Sequence, residues 1–250
     1  ESKAQNTAIA GYTITSTGGA IASYAISPSA PTGLTFSTST GLLSGTPTTV
    51  QSATAYTITA TNTTSTATRT FTLTVTAAAT CATGGVCALG ETGPGGGKVF
   101  YVSSSNFTST GSDCGTACKY LEAAPSDHSS TVAWCSNTSS SLGVTATGIG
   151  SGMSNTTTAD STCTSGAIQV AADYTNNSKT DWHLPSKDEL AQLYAQRTTV
   201  GGFSYDYYWS SSEYSSGSAR TQNFLYGYQD YSGKETSPFS LKVRLVRAFG

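Results

Sequence analysis

Apolar and polar residues alternate with a period of two along Tyr56-Thr57-Ile58-Thr59-Ala60-Thr61 and Phe71-Thr72-Leu73-Thr74-Val75-Thr76. That period sends every second side chain to the same face, so each stretch predicts a strand with one side on a core and one in water. Tyr12 with Ile14, and Tyr24 with Ile26, give two shorter runs of the same kind. Gly18-Gly19, Pro28, Pro31-Thr32-Gly33 and Gly45-Thr46-Pro47 supply turn chemistry between the runs. Short strands at this spacing predict an all-β sandwich over residues 8–76. Thr76-Ala77-Ala78-Ala79-Thr80 reads as a linker. Two domains are therefore expected, residues 1–79 and 80–250.

After residue 80 the alternation gives way to irregular, glycine-rich and aromatic sequence with two helical patterns. Ile168, Ala171 and Ala172 recur at helical spacing within residues 165–174. Ser186-Lys187-Asp188-Glu189 fits a capping box, in which Glu189 reaches back to the amide of the first residue. Leu190, Leu193 and Tyr194 follow as one apolar face. Strands are predicted over residues 98–102, 207–211 and 242–248. Few helices, short strands and long loops predict an α+β second domain.

Composition narrows the function classes. Charged residues make up 10% of the 250-residue chain, against roughly 25% in an ordinary soluble domain. Twelve basic and 14 acidic residues leave a formal charge of −2. No basic stripe is present, which argues against a nucleic-acid partner. No apolar run approaches the roughly 20 residues of a membrane span, so no membrane insertion is expected. The abundance of Ser, Thr, Gly and Ala is common in secreted and surface-displayed β-proteins. The chain opens at Glu1 without Met or a signal peptide, which reads as a mature or trimmed product.

All six cysteines, Cys81, Cys87, Cys114, Cys118, Cys135 and Cys163, follow residue 80. An even count in a low-charge, export-like chain favours disulfides. Of the pairings that six cysteines permit, the nearest-neighbour set 81–87, 114–118 and 135–163 is expected. Zinc is the rival, because Cys114 and Cys118 have ligand-like spacing. No Cys-x-x-Cys pair or nearby His completes a tetrahedral site, so no metal and no cofactor is expected.

Pro31-Thr32-Gly33-Leu34, Thr40-Gly41-Leu42-Leu43-Ser44-Gly45-Thr46-Pro47 and Tyr56-Thr57-Ile58 resemble the immunoglobulin-like repeats of bacterial surface proteins. The resemblance implies a spacer. Some cadherin-like relatives bind calcium through acidic linkers, but Glu1 is the only acid in residues 1–80, so calcium is not expected.

Residues 84–249 carry a second set of motifs, in order. They are Gly90-Glu91-Thr92-Gly93-Pro94-Gly95-Gly96-Gly97-Lys98-Val99-Phe100-Tyr101, Tyr120-Leu121-Glu122-Ala123-Ala124-Pro125 and Ala133-Trp134-Cys135. Then come Asp181-Trp182-His183-Leu184-Pro185-Ser186-Lys187-Asp188-Glu189-Leu190, Tyr208-Trp209-Ser210-Ser211-Ser212-Glu213 and Val243-Arg244-Leu245-Val246-Arg247-Ala248-Phe249. This part of the chain is similar to the Lcl C-terminal domain family. The resemblance implies an α+β C-type-lectin-like fold used extracellularly for adhesion and for glycan or receptor binding, with no reaction. Calcium-dependent lectins use Glu-Pro-Asn or Gln-Pro-Asp with Trp-Asn-Asp. Neither occurs here, so calcium-mediated sugar binding is not carried over. Trp182, Leu184 and Trp209 are expected in the core. Asp181, Glu213, Arg244 and Arg247 are expected as buried ion pairs or loop caps, and His183 as structural.

Residues 214–241 differ from that framework, being rich in Tyr, Ser and Gly. Tyr supplies a large amphipathic contact area at low entropic cost, and Ser and Gly adapt their hydrogen bonding. The segment resembles the variable region of diversity-generating retroelement proteins, in which adenine mutation turns Asn codons into Tyr, Ser, Asp, Gly, Leu or Phe. On that resemblance Tyr214, Leu225, Tyr226, Tyr228, Asp230, Tyr231, Ser232 and Gly233 are the candidate ligand-binding residues. Gln222, Phe224, Gly227, Gln229 and Lys234 would be the less variable frame. A solvated loop without a specific ligand is the plainer reading of the same residues.

Enzymatic readings find little material. The glycines before Lys98 miss the phosphate-loop pattern twice, at Thr92 and at Val99, and read as a turn before a strand. Ser151 does not sit in Gly-x-Ser-x-Gly, and His128 and His183 are the only histidines, so no Ser/His/acid triad emerges. No catalytic residue is expected. The remaining enzyme alternative is a formylglycine-generating type, which shares the C-type-lectin-like scaffold and needs a reactive cysteine. A third class is a structural subunit of a fibre, sheath or virion. The expected partner is a glycan or protein receptor on another cell or surface, with a homo-oligomer or a larger surface or viral assembly also compatible. The expected location is extracellular, on a cell or virion surface.

Overall fold

The computed structural model describes residues 1–12, 14, 19–128, 130–235 and 241–250. The predicted run from Tyr12 to Ile14 and the Gly18-Gly19 turn lie partly outside these, and so do residues 236–240 of the tyrosine-rich segment. Two compact units are present, Glu1–Ala79 and Thr80–Gly250.

The first unit is all β: β1 Ser2–Ala4, β2 Ile9–Tyr12, β3 Ser23–Ser27, β4 Leu34–Phe36, β5 Leu43–Gly45, β6 Gln51–Thr61 and β7 Thr66–Thr76. They form a four-stranded sheet, β1-β7-β6-β3, and a three-stranded one, β2-β5-β4. The period-two pattern is its cause. Tyr56, Ile58, Leu73 and Val75 are buried while the threonines between them face outward or lie half-buried. Ile9, Leu34, Leu43, Tyr56 and Leu73 make the core, and Tyr56 stacks on Phe71 with ring centroids 5.6 Å apart.

The second unit is mixed. It runs β8 Lys98–Phe107, β9 Cys118–Ala123, α1 Ser151–Asp160, α2 Ala167–Ala172, β10 Trp182–His183, α3 Lys187–Ala195 and α4 Arg197–Val200. It continues with β11 Tyr207–Ser215, β12 Ser218–Asn223, β13 Gln229–Gly233, β14 Leu241–Lys242 and β15 Val246–Phe249. One sheet has the order β10-β15-β9-β8, the other β13-β12-β11-β14. Trp134, Trp182 and Trp209 are all buried. Two of their indole N–H groups find main-chain acceptors, Trp134 on Ser210 O at 2.7 Å and Trp209 on Val132 O at 2.9 Å.

Helix α3 starts as its capping box predicts. Ser186 Oγ accepts from the Glu189 amide at 3.3 Å, and the Glu189 carboxylate accepts from the Ser186 amide at 2.8 Å. The expected helix over 165–174 forms as the shorter α2. The expected strand over 242–248 does not form as one piece. Val243, Arg244 and Leu245 are all buried without alternating, and they separate β14 from β15. Helix α1 was not predicted, because its Ser/Thr/Asn-rich sequence carries no apolar period. Packing holds it: Asn155 Nδ2 donates to Ala146 O at 2.7 Å, and a Cβ on Gly152 would lie 2.2 Å from Glu189 Oε2.

Disulfides join Cys81–Cys87, Cys114–Cys118 and Cys135–Cys163, the nearest-neighbour set. Buried charge ties the remaining loops. The Arg247 guanidinium pairs with Asp181, with Glu122 at 3.2 Å and with Asp113 at 3.0 Å. Arg244 pairs with Asp127 at 2.7 Å and lies 4.1 Å over the Phe203 ring. Burial pushes the Glu122 carboxyl above its ordinary pKa, against the amides of Gly95 and Gly97 and the charge of Arg247. Those amides donate to it at 2.8 and 3.0 Å, and a Cβ on Gly95 would lie 2.6 Å from its Oε1. The glycine-rich loop thus cradles an internal carboxylate and leads into β8.

Candidate ligand-binding surface

The tyrosine-rich segment folds as β12, a turn and β13 at one edge of the second sheet. The strands pair antiparallel, with Arg220 opposite Tyr231, Thr221 opposite Asp230 and Gln222 opposite Gln229. The turn between them is pinned from below. Asn223 Oδ1 accepts from the amides of Leu225 and Tyr226 at 2.9 and 2.7 Å, and Gln222 Nε2 donates to Gly227 O at 2.7 Å. Phe224 is buried against Tyr208, Phe203 and Tyr194. Gly227 adopts φ +88°, and a Cβ there would lie 2.5 Å from the Tyr194 hydroxyl, so glycine fits on both counts. A rigid support of this kind lowers the ordering cost of binding.

Above that support the aromatic side chains are exposed. Tyr226 is 72% exposed and Tyr231 52%, with Tyr214, Tyr228 and Leu225 at 46% each. The expected frame residues Gln222, Phe224 and Lys234 are buried instead.

The candidate residues do not make one flat face. Side chains alternate along a strand, so Tyr228, Asp230 and Ser232 take one face of β13 while Gln229, Tyr231 and Gly233 take the other. Two clusters result. On the first side Tyr226 and Tyr228 lie parallel, 7° between planes and 6.2 Å between centroids, and the Tyr228 and Tyr207 hydroxyls hydrogen-bond. That bond, with slight burial and the nearby charge of Asp230, holds the Tyr228 phenol above its ordinary pKa. On the second side Tyr214 stacks on Tyr231 at 4.1 Å and 14°, with the Arg220 guanidinium 4.6 Å over the Tyr214 ring. Ser232 and Gly233 are half-buried and contribute little contact area.

Two further residues belong to this surface and were not singled out from sequence. Tyr205, 82% exposed, lines a shallow cleft with Phe203, Phe224, Leu225 and Arg197. Tyr207 joins the first cluster through its hydroxyl. Both stand just before or at the start of β11, where a tyrosine beside a framework motif was the available signal.

One end of β13 is anchored by a buried clasp. Lys234 Nζ sits 2.5 Å from Glu213 Oε1, donates to Ser140 O at 2.9 Å and lies 5.0 Å from the centre of the Trp134 ring. Glu213 also accepts from the amides of Leu142 and Gly143 and from the Ser141 hydroxyl. Burial pushes the Glu213 carboxyl up, but Lys234 and these donors outweigh it and hold its pKa below the ordinary value.

Residues 2–76 match the family model described as "Putative Ig domain". The first unit is therefore immunoglobulin-like, as its two-sheet core is. No curated protein matches the chain. A solved structure described as a fimbrial protein from Bacteroides ovatus aligns with 98% of this chain at 12% identity and a TM-score of 0.44. The chain spans about 65% of that protein's length.

Away from this surface, His183 Nδ1 is buried without a hydrogen-bond partner among the described residues. His183 and Glu189 are fully buried, 3.5 Å apart, and lie under α1. Cys81, Cys87 and Glu91 cluster within 4.8 Å, but the two sulfurs are bonded to each other. All six cysteines are paired.

Proposed function

We propose that this is an extracellular or surface-displayed binding protein whose second unit is a C-type-lectin-like scaffold presenting the tyrosine edge to a ligand. The carrying observation is the group of exposed tyrosines around a turn whose backbone is fixed by Asn223, Gln222 and Phe224. Soluble domains leave large aromatic groups in contiguous exposed patches where something binds, and Tyr is enriched at binding hot spots. The ordered motifs of residues 84–249 support the scaffold. Three disulfides support an oxidising compartment. The immunoglobulin-like unit acts as a spacer. Recognition proceeds by stacking and hydrogen bonding without covalent chemistry, toward a glycan or a protein receptor. Six paired cysteines leave no thiolate for a formylglycine-type reaction, which supports the non-enzymatic reading.

Of the residues that the retroelement resemblance names as variable, Tyr214, Leu225, Tyr226, Tyr228, Asp230 and Tyr231 are exposed, and Gln222, Phe224 and Lys234 of its expected frame are buried. Sequencing this gene across its natural population tests that part. Substitutions concentrated at positions 214, 225, 226, 228, 230 and 231, with 222, 224 and 234 fixed, are the expected result. Uniform sequence across the segment would contradict diversification and leave one fixed ligand.

A further inference from the structure

We infer that the outer edge of β13 binds a basic, extended segment of a partner protein. The inference rests on the ligand-binding reading above and names its ligand class. The first observation is the edge itself. Among the described residues β13 pairs with β12 alone. The Asn223 amide donates to Tyr228 O and the Lys234 amide to Gly217 O. In an antiparallel ladder the hydrogen-bonded pairs alternate, so Tyr228, Asp230 and Ser232 turn their main-chain groups to β12. Gln229, Tyr231 and Gly233 turn theirs outward. The Tyr231 amide is already taken by Asp230 Oδ1 at 2.9 Å, which leaves the edge weighted toward acceptors.

The second observation is charge. Asp230 and Glu235 are exposed at this edge, and the Glu235 carboxylate lies over Gly233, 2.7 Å from where a Cβ would stand. The basic side chains of Lys234, Arg220 and Lys187 already pack on groups of the protein. Lys234 is buried on Glu213, Arg220 lies over Tyr214, and Lys187 is 3.3 Å from Asp188. Residues 236–240 carry no charge.

The third observation is an internal precedent. On one side of β13 the Tyr214 ring already takes a cation, Arg220. On the other, Tyr226 and Tyr228 have no cation over their rings among the described residues. A lysine or arginine side chain lying on these rings gains cation–π attraction, with Asp230 as counter-ion and outward carbonyls as acceptors. An extended main chain running beside β13 fits this arrangement, because strand addition uses an unpaired edge.

The test titrates the whole chain with hexalysine and with its fully Nε-acetylated form, following the tyrosine ring signals by NMR. Hexalysine is expected to shift the Tyr226 and Tyr228 signals, and to bind roughly tenfold more weakly at about 300 mM than at about 20 mM NaCl. The acetylated peptide is expected not to bind. The double substitution D230N/E235Q keeps size and hydrogen-bonding capacity, and it should weaken hexalysine binding about threefold to tenfold. Equal binding of the acetylated peptide, or of hexalysine by the double variant, overturns the inference. A neutral ligand that needs Tyr226 and Tyr228 but ignores salt and both acids would sink this ligand class while sparing the binding surface. Loss of every tyrosine-dependent ligand would sink both.

Discussion

Glu213 and Lys234 lie next to the tyrosine edge in space and in sequence, yet the two regions treat polar groups in opposite ways. The clasp buries a full ion pair and surrounds it with Trp134, two amides, a hydroxyl and a carbonyl. The edge, one residue away at Gly233, leaves tyrosines, an aspartate and outward carbonyls in water. Removing either partner of a buried ion pair leaves the other charge out of water without its counter-ion, so the clasp is costly to change one side at a time. An exposed phenol has no such dependence, so the edge tolerates replacement of what it displays. One strand can thus be held rigidly at its end and still leave side chains along its length free of packing constraints.

Breaking the most connected buried charge gives the largest effect. Arg247→Met leaves Glu122 and Asp181 buried without their cation, and is expected to cost about 3–5 kcal/mol in denaturant unfolding of the second unit. A cost within error would mean that the arginine network is not what ties β9, β10 and β15.

Lys234→Met should cost about 3 kcal/mol, somewhat less because amides still hold Glu213. The same pair makes stability depend on pH. The depressed Glu213 pKa means that the clasp stabilises fully above the ordinary glutamate value of 4.5 and loses that stability as pH falls through the lower folded value. Unfolding followed from neutral to acid pH should show this acid limb in the parent and a flatter one in Lys234→Met. Identical profiles would contradict the assignment.

Gly227→Ala forces a side chain onto a left-handed residue against Tyr194, an expected cost of about 1–3 kcal/mol. Because the turn carries Tyr226 and Tyr228, ligand affinity should fall with it. Unchanged affinity would separate the turn from the site. The smallest effect on folding is expected at the edge. Tyr226→Ala, Tyr228→Ala and Tyr231→Ala together should leave the unfolding midpoint nearly where it was.

Sequence alone went furthest where one local rule decides the structure. Alternation at Tyr56–Thr61 and Phe71–Thr76, the capping box at Ser186 and Glu189, and the burial of Trp182 and Trp209 all follow from residue type and spacing. It failed where packing decides. Helix α1 has no apolar stripe and exists because Gly152 lets it lie on Glu189. The segment Val243-Arg244-Leu245 reads as strand, yet Arg244 turns inward to Asp127 and the carbonyls of Gly201 and Gly202. The tyrosine composition was legible, but the division into two clusters was not. It depends on β13 being a strand, which puts Tyr228 and Tyr231 on opposite faces, and no turn signal stronger than Gly227 marked where that strand begins.

The most direct measurement of the central claim is binding of the full chain and of the Tyr226→Ala, Tyr228→Ala, Tyr231→Ala variant to one glycan array and one array of surface proteins. Circular dichroism would verify that both are folded. The account predicts probes bound by the parent and lost by the folded variant. A folded variant that keeps every interaction of the parent, or a parent that binds nothing on either array, would contradict it.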